Sequence, residues 1–241
     1  MKRSNVLAAV FAIITALIFS RLGVWQLQRL HERRARNESL ASRLSTPALP
    51  LAQLPADSAG AHWRRALATG SYDFDHQIVL SGRTYDGSPG VQILTPLHRA
   101  DGGPAVLVDR GWVYASDAAT VDLGKWDEPP HETVSGYIED FVHGGRGVAR
   151  LPSHTNAWTR LDAEKLRAAF PFPIAPYYLV LLDTMVDYRV AHELPTVTPV
   201  RLVLPQMDEG PHLSYAIQWF TFAAVALIGV GTLIAQDLRR G

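Results

Sequence analysis

Three side chains near the C-terminus of this 241-residue chain have types and spacing that could do chemistry. His212, Tyr215 and Trp219 follow the i, i+3, i+7 pattern that places residues on one face of an α-helix. Tyr and Trp commonly anchor helices at a membrane–water interface, and His212 would then be a solvated neighbour. A neutral imidazole at a bilayer edge is also suited to be an axial ligand of haem iron. The residues alone leave both interpretations open.

A second group of polar and aromatic residues, Trp25, Gln26 and Arg29, follows the apolar segment near the N-terminus. We expect it to lie at the same membrane boundary as His212. The guanidinium of Arg29 can pair with a lipid phosphate, which is the simpler partner, or with a carboxylate of a cofactor.

Composition excludes several classes of chemistry. The chain has no cysteine, which rules out disulfides, thiolate zinc sites and iron–sulfur ligation, and only three Met, which disfavours a soft-ligand copper chaperone. Lys+Arg and Asp+Glu both number 23, so no global charge draws the chain to nucleic acid.

Catalytic motifs are also missing from the sequence. It contains no GxSxG, HExxH or P-loop pattern, and we predict that the protein is not an enzyme. The cluster Asp73-Phe74-Asp75-His76 could bind a metal, although such a cluster on a turn is more often solvated.

Two apolar segments must position these groups. Leu213–Ala235 is an uncharged run of 23 residues, which as a helix reaches about 34 Å and can cross a hydrocarbon core of about 30 Å. Val6–Phe19, continued to Trp25, also reaches a spanning length. Lys2 and Arg3 precede it as in a signal peptide, but no small-residue cleavage site follows, so we predict an uncleaved anchor. The predicted spans cover about residues 6–27 and 213–235.

Charge predicts the orientation of the two spans. Lys2 and Arg3 at one end and Arg239 and Arg240 at the other favour cytoplasmic termini. A cluster of arginines after the first span opposes this orientation, but long connecting domains translocate largely regardless of charge. We therefore expect a multi-pass protein of the bacterial inner membrane, with both termini cytoplasmic and the central domain periplasmic.

The segment between the spans carries β signals. Six strands are predicted by apolar runs between turn residues. They cover residues 62–72, 77–85, 91–98, 105–114, 133–140 and 177–183. One helix is predicted from Ala163 to Phe170, capped by Asp162 and stopped by Pro171. Residues 47–60, rich in Ala and Pro, are predicted to be a linker or an exposed loop.

The expected fold is therefore two transmembrane α-helices flanking an extracytoplasmic α+β domain, mainly antiparallel β, a small barrel or sandwich with one helix. The predicted division is 1–36 for the N-terminal anchor, 37–204 for the β-rich domain, and 205–241 for the C-terminal helix and its basic tail.

A tryptophan motif at the end of the fourth predicted strand has an expected structural role. We expect Trp112 to be buried in the domain, Gly111 to lie where another backbone approaches closely, and Arg110 to bond nearby carbonyls or carboxylates.

Several motifs in this order resemble the Surfeit locus protein 1 family. The resemblance covers nearly the whole chain, and its first and last motifs are quite specific. It is carried by Leu22-Gly23-x-Trp25-Gln26-x-x-Arg29, Gly70-x-Tyr72, Arg83, Gly90, Thr95-Pro96-Leu97, Val108-Asp109-Arg110-Gly111-Trp112-Val113, Asn156-x-Trp158 and His212-Leu213-x-Tyr215-Ala216-x-Gln218-Trp219.

The resemblance implies an assembly factor, or chaperone, for haem-copper terminal oxidases, notably cytochrome c oxidase. Members are thought to bind haem A and to aid its insertion into oxidase subunit I, which implies subunit I and the haem A synthesis machinery as partners besides the lipid bilayer. The family's proposed haem ligand corresponds to His212, and the remaining cofactor-binding candidates are Tyr215, Trp219, Trp25, Gln26 and Arg29.

One alternative function comes from a different class. The chain could be a membrane-anchored scaffolding subunit that binds protein partners only, with these same residues forming a helix–helix or lipid interface.

Overall fold

The computed structural model describes residues 3–182, 198–202, 204 and 207–240. The chain divides into two compact units. One combines Met1–Ala41 with Gln206–Gly241, and the other is Ser42–Pro205.

The first unit is a pair of long helices, α1 (Arg3–Ser45) and α4 (His212–Arg240). Both are long and apolar enough to cross a membrane, and only 17% and 11% of their most apolar windows are buried. The core helix of a soluble protein would be mostly covered, so this exposure favours a lipid environment. Helix α1 continues well past the predicted span because neither Gly nor Pro occurs between Gly23 and Pro47.

Within its described residues, the second unit contains eight strands and two short helices. The strands are β1 (Leu49–Pro50), β2 (Arg65–Tyr72), β3 (Ile78–Tyr85), β4 (Ser88–Arg99), β5 (Ala105–Tyr114), β6 (His131–Asp140), β7 (Ala157–Trp158) and β8 (Ile174–Leu181). The helices are α2 (Ser58–Ala61) and α3 (Ala163–Ala169).

Five of the strands close into a barrel-like sheet. The order β2-β6-β8-β5-β4 returns to its start because β4 also pairs with β2, through Gly70↔Arg99 to Tyr72↔Leu97. Most neighbours are antiparallel, as expected, whereas β8 runs parallel to β5. The interior is filled by apolar side chains such as Leu97, Val108 and Ile138.

Helix α3 lies where the sequence predicts it. Asp162 is its N-cap and accepts a hydrogen bond from the backbone N–H of Lys165. Leu166 is fully buried and packs with Leu107 and Trp158 in a second apolar cluster. The two apolar terminal helices and the β-rich domain with a helix confirm the predicted fold class.

The prediction of a linker over residues 47–60 was wrong. This segment forms β1, a turn of 3₁₀-helix (Leu51–Gln53) and most of α2. Leu51 and Leu54 are buried in the barrel core. The high Ala and Pro content of this segment suggested a loop. Leu51 and Leu54 nevertheless bury enough apolar surface to pack the segment against the barrel.

The structure confirms the expected structural role of the tryptophan motif. Trp112 is 2% exposed and packs against Tyr85. The backbone of Gly111 has φ +120°, and a Cβ there would lie 2.3 Å from the carbonyl oxygen of Val200. Only glycine allows Trp112 and Val200 to exchange backbone hydrogen bonds of 2.8 Å at this point.

Arg110 is completely buried and is satisfied by a polar network. Its guanidinium donates to Glu128 at 2.8 Å, to Gln77 at 2.9 Å and to the carbonyl of Trp126. Arg201 also pairs with Glu128. A buried arginine without such partners would strongly destabilise the fold, so this network makes its burial tolerable.

Candidate functional site

The two long helices contact each other in antiparallel orientation. Asn5 donates to Asp237 at 2.8 Å near one end, and the far half of α1 contacts the start of α4. Between these points the ring of Phe19 lies 5.5 Å from that of Trp219 and 5.7 Å from that of Phe222. This aromatic cluster joins the helices below the level of His212.

His212 is the first residue of α4 and faces Gln26 of α1. The amide oxygen Oε1 of Gln26 lies 2.9 Å from Nδ1 of the imidazole. Because an amide oxygen only accepts hydrogen bonds, Nδ1 carries the proton in the neutral ring. The lone pair is then on Nε2, and this is the arrangement found in metal-ligating histidines, whose second nitrogen donates to a neighbouring oxygen.

The loop before His212 is tied to α1 by a group of polar contacts, here called the juxtamembrane clamp. Arg34 forms a bidentate ion pair with Glu209, in which both N–O distances are 2.8 Å. The hydrogen bonds from Arg34 lower the pKa of Glu209. Arg33 contacts the side chain of Asp208 at 3.2 Å, and Asn37 donates to its carbonyl oxygen at 2.8 Å. The clamp holds the chain that leads into α4 against α1.

The structure does not gather all of the predicted site residues into one group. Trp219 belongs to the aromatic cluster with Phe19. Trp25 and Tyr215 are about half exposed on the helix surfaces. Arg29 pairs with Glu32 of its own helix at 2.9 Å, so a cofactor carboxylate would have to compete with that carboxylate.

Sequence reasoning missed the clamp and Phe19. Arg33 and Arg34 counted only as charges near the first span, although Asp208-Glu209 is a matching acidic pair just before the second. Two adjacent basic residues after one span and two adjacent acidic residues before the other could have predicted this pairing. The ring contacts of Phe19 depend on how the two helices pack. In the sequence, Phe19 is simply one of many apolar residues in the first span.

Asp73 of the predicted acidic turn has a structural role. Its carboxylate accepts from the backbone N–H of His76 at 3.2 Å and contacts the rings of His76 and His98. The pKa of Asp73 is lowered by these hydrogen bonds, although burial opposes the shift. Within the described residues, no group of three or more His, Asp or Glu side chains could hold a metal ion.

The helices and the sheet together define a class of protein. Two helices of membrane-spanning length flank a closed β-barrel domain in the sequence. The second helix begins at His212, whose imidazole is oriented by Gln26.

Comparison with known proteins identifies the family within this class. The model of the SURF1 family matches residues 13–224. A SURF1-like protein of Mycobacterium tuberculosis is 30% identical over 240 residues, covering 97% of this chain and 84% of the relative. SURF1-like proteins of Monosiga brevicollis and Rickettsia bellii are 27% and 26% identical, covering 86% and 90% of this chain and 79% and 86% of theirs.

The chain belongs to the SURF1 family, which confirms the resemblance drawn from the motifs. Members of this family are generally assembly factors of cytochrome oxidase, and the family is not known for enzymes.

Proposed function

We propose that this protein binds haem A through His212 and aids its insertion into subunit I of cytochrome c oxidase. The observation that carries the proposal is the Gln26–His212 contact of 2.9 Å, because it leaves Nε2 of the imidazole free to ligate iron. Membership of a family of oxidase assembly factors supports the oxidase as the destination.

The residues present fit such a ligand. Bound haem would supply an iron ion that needs an axial nitrogen and a flat apolar ring that needs aromatic or aliphatic neighbours. His212 offers the nitrogen, and the apolar surfaces of α1 and α4, including Tyr215, Trp219 and Trp25, offer the neighbours. Arg29 would hold a propionate after exchanging its exposed partner Glu32, an exchange that costs little because exposed ion pairs are weak.

Iron ligation requires the neutral imidazole, because a proton on Nε2 would occupy the lone pair that the iron needs. The same proposal places the protein in the bacterial inner membrane with a periplasmic barrel, close to subunit I and to the machinery that makes haem A.

The test compares haem content of the full-length protein purified in mild detergent from cells that make haem A. His212→Ala should lose most of the Soret absorbance per protein, whereas the control His31→Ala should keep it. Equal haem content in wild type and His212→Ala would remove His212 as the ligand.

A scaffolding subunit that binds only proteins is the second candidate. The contacts of Trp219 with Phe19 and of Arg29 with Glu32 support it, because they account for both side chains without a ligand. Wild-type protein that carries no haem under any condition, yet co-purifies with oxidase subunit I, would favour this function.

A further inference from the structure

We propose that Gly210 is the access position of the His212 site, where the absence of a side chain leaves room for a flat ligand at Nε2. This inference rests on the proposed function, haem ligation by His212, and names the residue that decides whether a ligand can reach that nitrogen.

The geometry of Gly210 carries the inference. Its backbone has φ +66°, the left-handed region that glycine adopts readily. A Cβ built at this position would lie 3.5 Å from Cδ2 and 3.6 Å from Nε2 of His212. These are ordinary van der Waals distances, so a side chain at residue 210 would cover the ring edge that carries the free nitrogen.

The opposite edge of the imidazole is already occupied. Nδ1 faces Gln26, which leaves Nε2 as the only ring nitrogen available to a ligand. Gln26 therefore binds one ring nitrogen of His212, and Gly210 leaves the other nitrogen uncovered.

The juxtamembrane clamp keeps Gly210 in this place. Glu209, the residue directly before it, is held by both prongs of Arg34, and Asp208 is held by Arg33 and Asn37. Five hydrogen bonds from α1 reach the two residues that precede Gly210, so the loop that carries this glycine is held beside α1.

A porphyrin needs this opening more than a small ligand would. A porphyrin is broad and flat, so it would need more free space beside Nε2 than a small ligand. Branched side-chain atoms at residue 210 would lie against the ring edge that carries this nitrogen.

The experiment titrates haemin into the full-length, detergent-solubilised protein and follows the Soret band. Gly210→Ala, Gly210→Asn and Gly210→Val are compared with wild type and with His212→Ala. Gly87→Val is the matched control, because Gly87 has a similar φ of +75° and nothing within 4 Å of its Cβ position. Circular dichroism melting establishes that each variant is folded.

Side-chain volume and backbone strain predict opposite orders for two of these variants. If access decides, affinity falls from Ala to Asn to Val, with Val weaker than wild type by about tenfold or more. If only strain matters, Asn binds better than Ala, because Asn tolerates the left-handed region. The Ala–Asn comparison decides the question even if the Val variant does not fold.

The outcomes separate this inference from the proposed function. Wild-type affinity in all three Gly210 variants, or the strain order, together with weak binding by His212→Ala, would overturn the role of Gly210 alone. Equal binding by wild type and His212→Ala would overturn both. Loss of binding in Gly87→Val would show that the assay reports general destabilisation, and would also count against Gly210.

Discussion

Oε1 of Gln26 lies 2.9 Å from Nδ1 of His212, although the two residues are 186 positions apart in the chain. The contact joins α1 to the first residue of α4 and determines which imidazole nitrogen carries the proton. Along α1, Gln26 lies between Phe19 of the aromatic cluster and Arg34 of the juxtamembrane clamp, so the helices are joined on both sides of this contact.

Removing the amide of Gln26 should weaken haem binding. Gln26→Leu keeps the size of the side chain but leaves Nδ1 without its acceptor, and partners of this kind contribute about 10–100-fold in metal affinity. Gln26→Glu keeps an acceptor and should retain binding. Titration with haemin measures both, and Gln28→Leu, an exposed neighbour, is the control. Unchanged affinity in Gln26→Leu would contradict a role for this contact.

Truncating Trp112 should destabilise the barrel. The ring is 2% exposed, and Trp112→Ala is expected to lower the free energy of unfolding by about 3–5 kcal/mol. Tyr114→Ala, two residues further along β5, is the control because its side chain is 59% exposed. Thermal unfolding followed by near-ultraviolet circular dichroism measures both variants. An unchanged melting temperature for Trp112→Ala would refute this energetic role.

Asp109 should make the stability of the domain depend on pH. Burial raises the pKa of its carboxyl to about 7, while the hydrogen bond from the N–H of Gly111 and the charge of Arg83 oppose the shift. The folded state therefore holds a proton that the unfolded chain loses near pH 4, and the stability contributed by this group falls as the pH rises from about 4 to about 7.

Asp109→Asn removes that titration. Relative to wild type, the Asn variant should gain stability as the pH rises from about 4 to about 7, by an amount on the order of 4 kcal/mol, and the difference should level off above pH 7. Denaturant unfolding at several pH values measures the difference. A difference between the two proteins that stays constant with pH would show that Asp109 does not titrate in this range.

Reporter fusions test the orientation of the two helices. With cytoplasmic termini and an exported domain, green fluorescent protein fused after Gly241 should fluoresce. Alkaline phosphatase inserted near Ser58 should be active, because this enzyme folds only after export. The basic ends of the chain, Lys2 and Arg3 with Arg239 and Arg240, motivate this expectation. The reverse pattern of reporter activity would contradict it.

Signals local in the chain determined the elements of this protein. The uncharged run from Leu213 to Ala235 predicts a spanning helix without reference to any other residue, because length and apolarity alone suffice. Asp162 and Pro171 mark the ends of α3 for the same reason, since capping and chain termination act within one turn. Motif order was also enough to predict the family.

Tertiary packing decided what these elements do together. Closure of the barrel depends on Gly70–Tyr72 pairing with Leu97–Arg99, and alternation of apolar residues along each strand does not specify which edges meet. The partner of Nδ1 of His212 was equally open in the sequence, because Gln26 reaches it only once two distant helices pack at one register. The opening at Gly210 arises from the same packing, since Arg33 and Arg34 acquire their acidic partners only when the chain returns to α1.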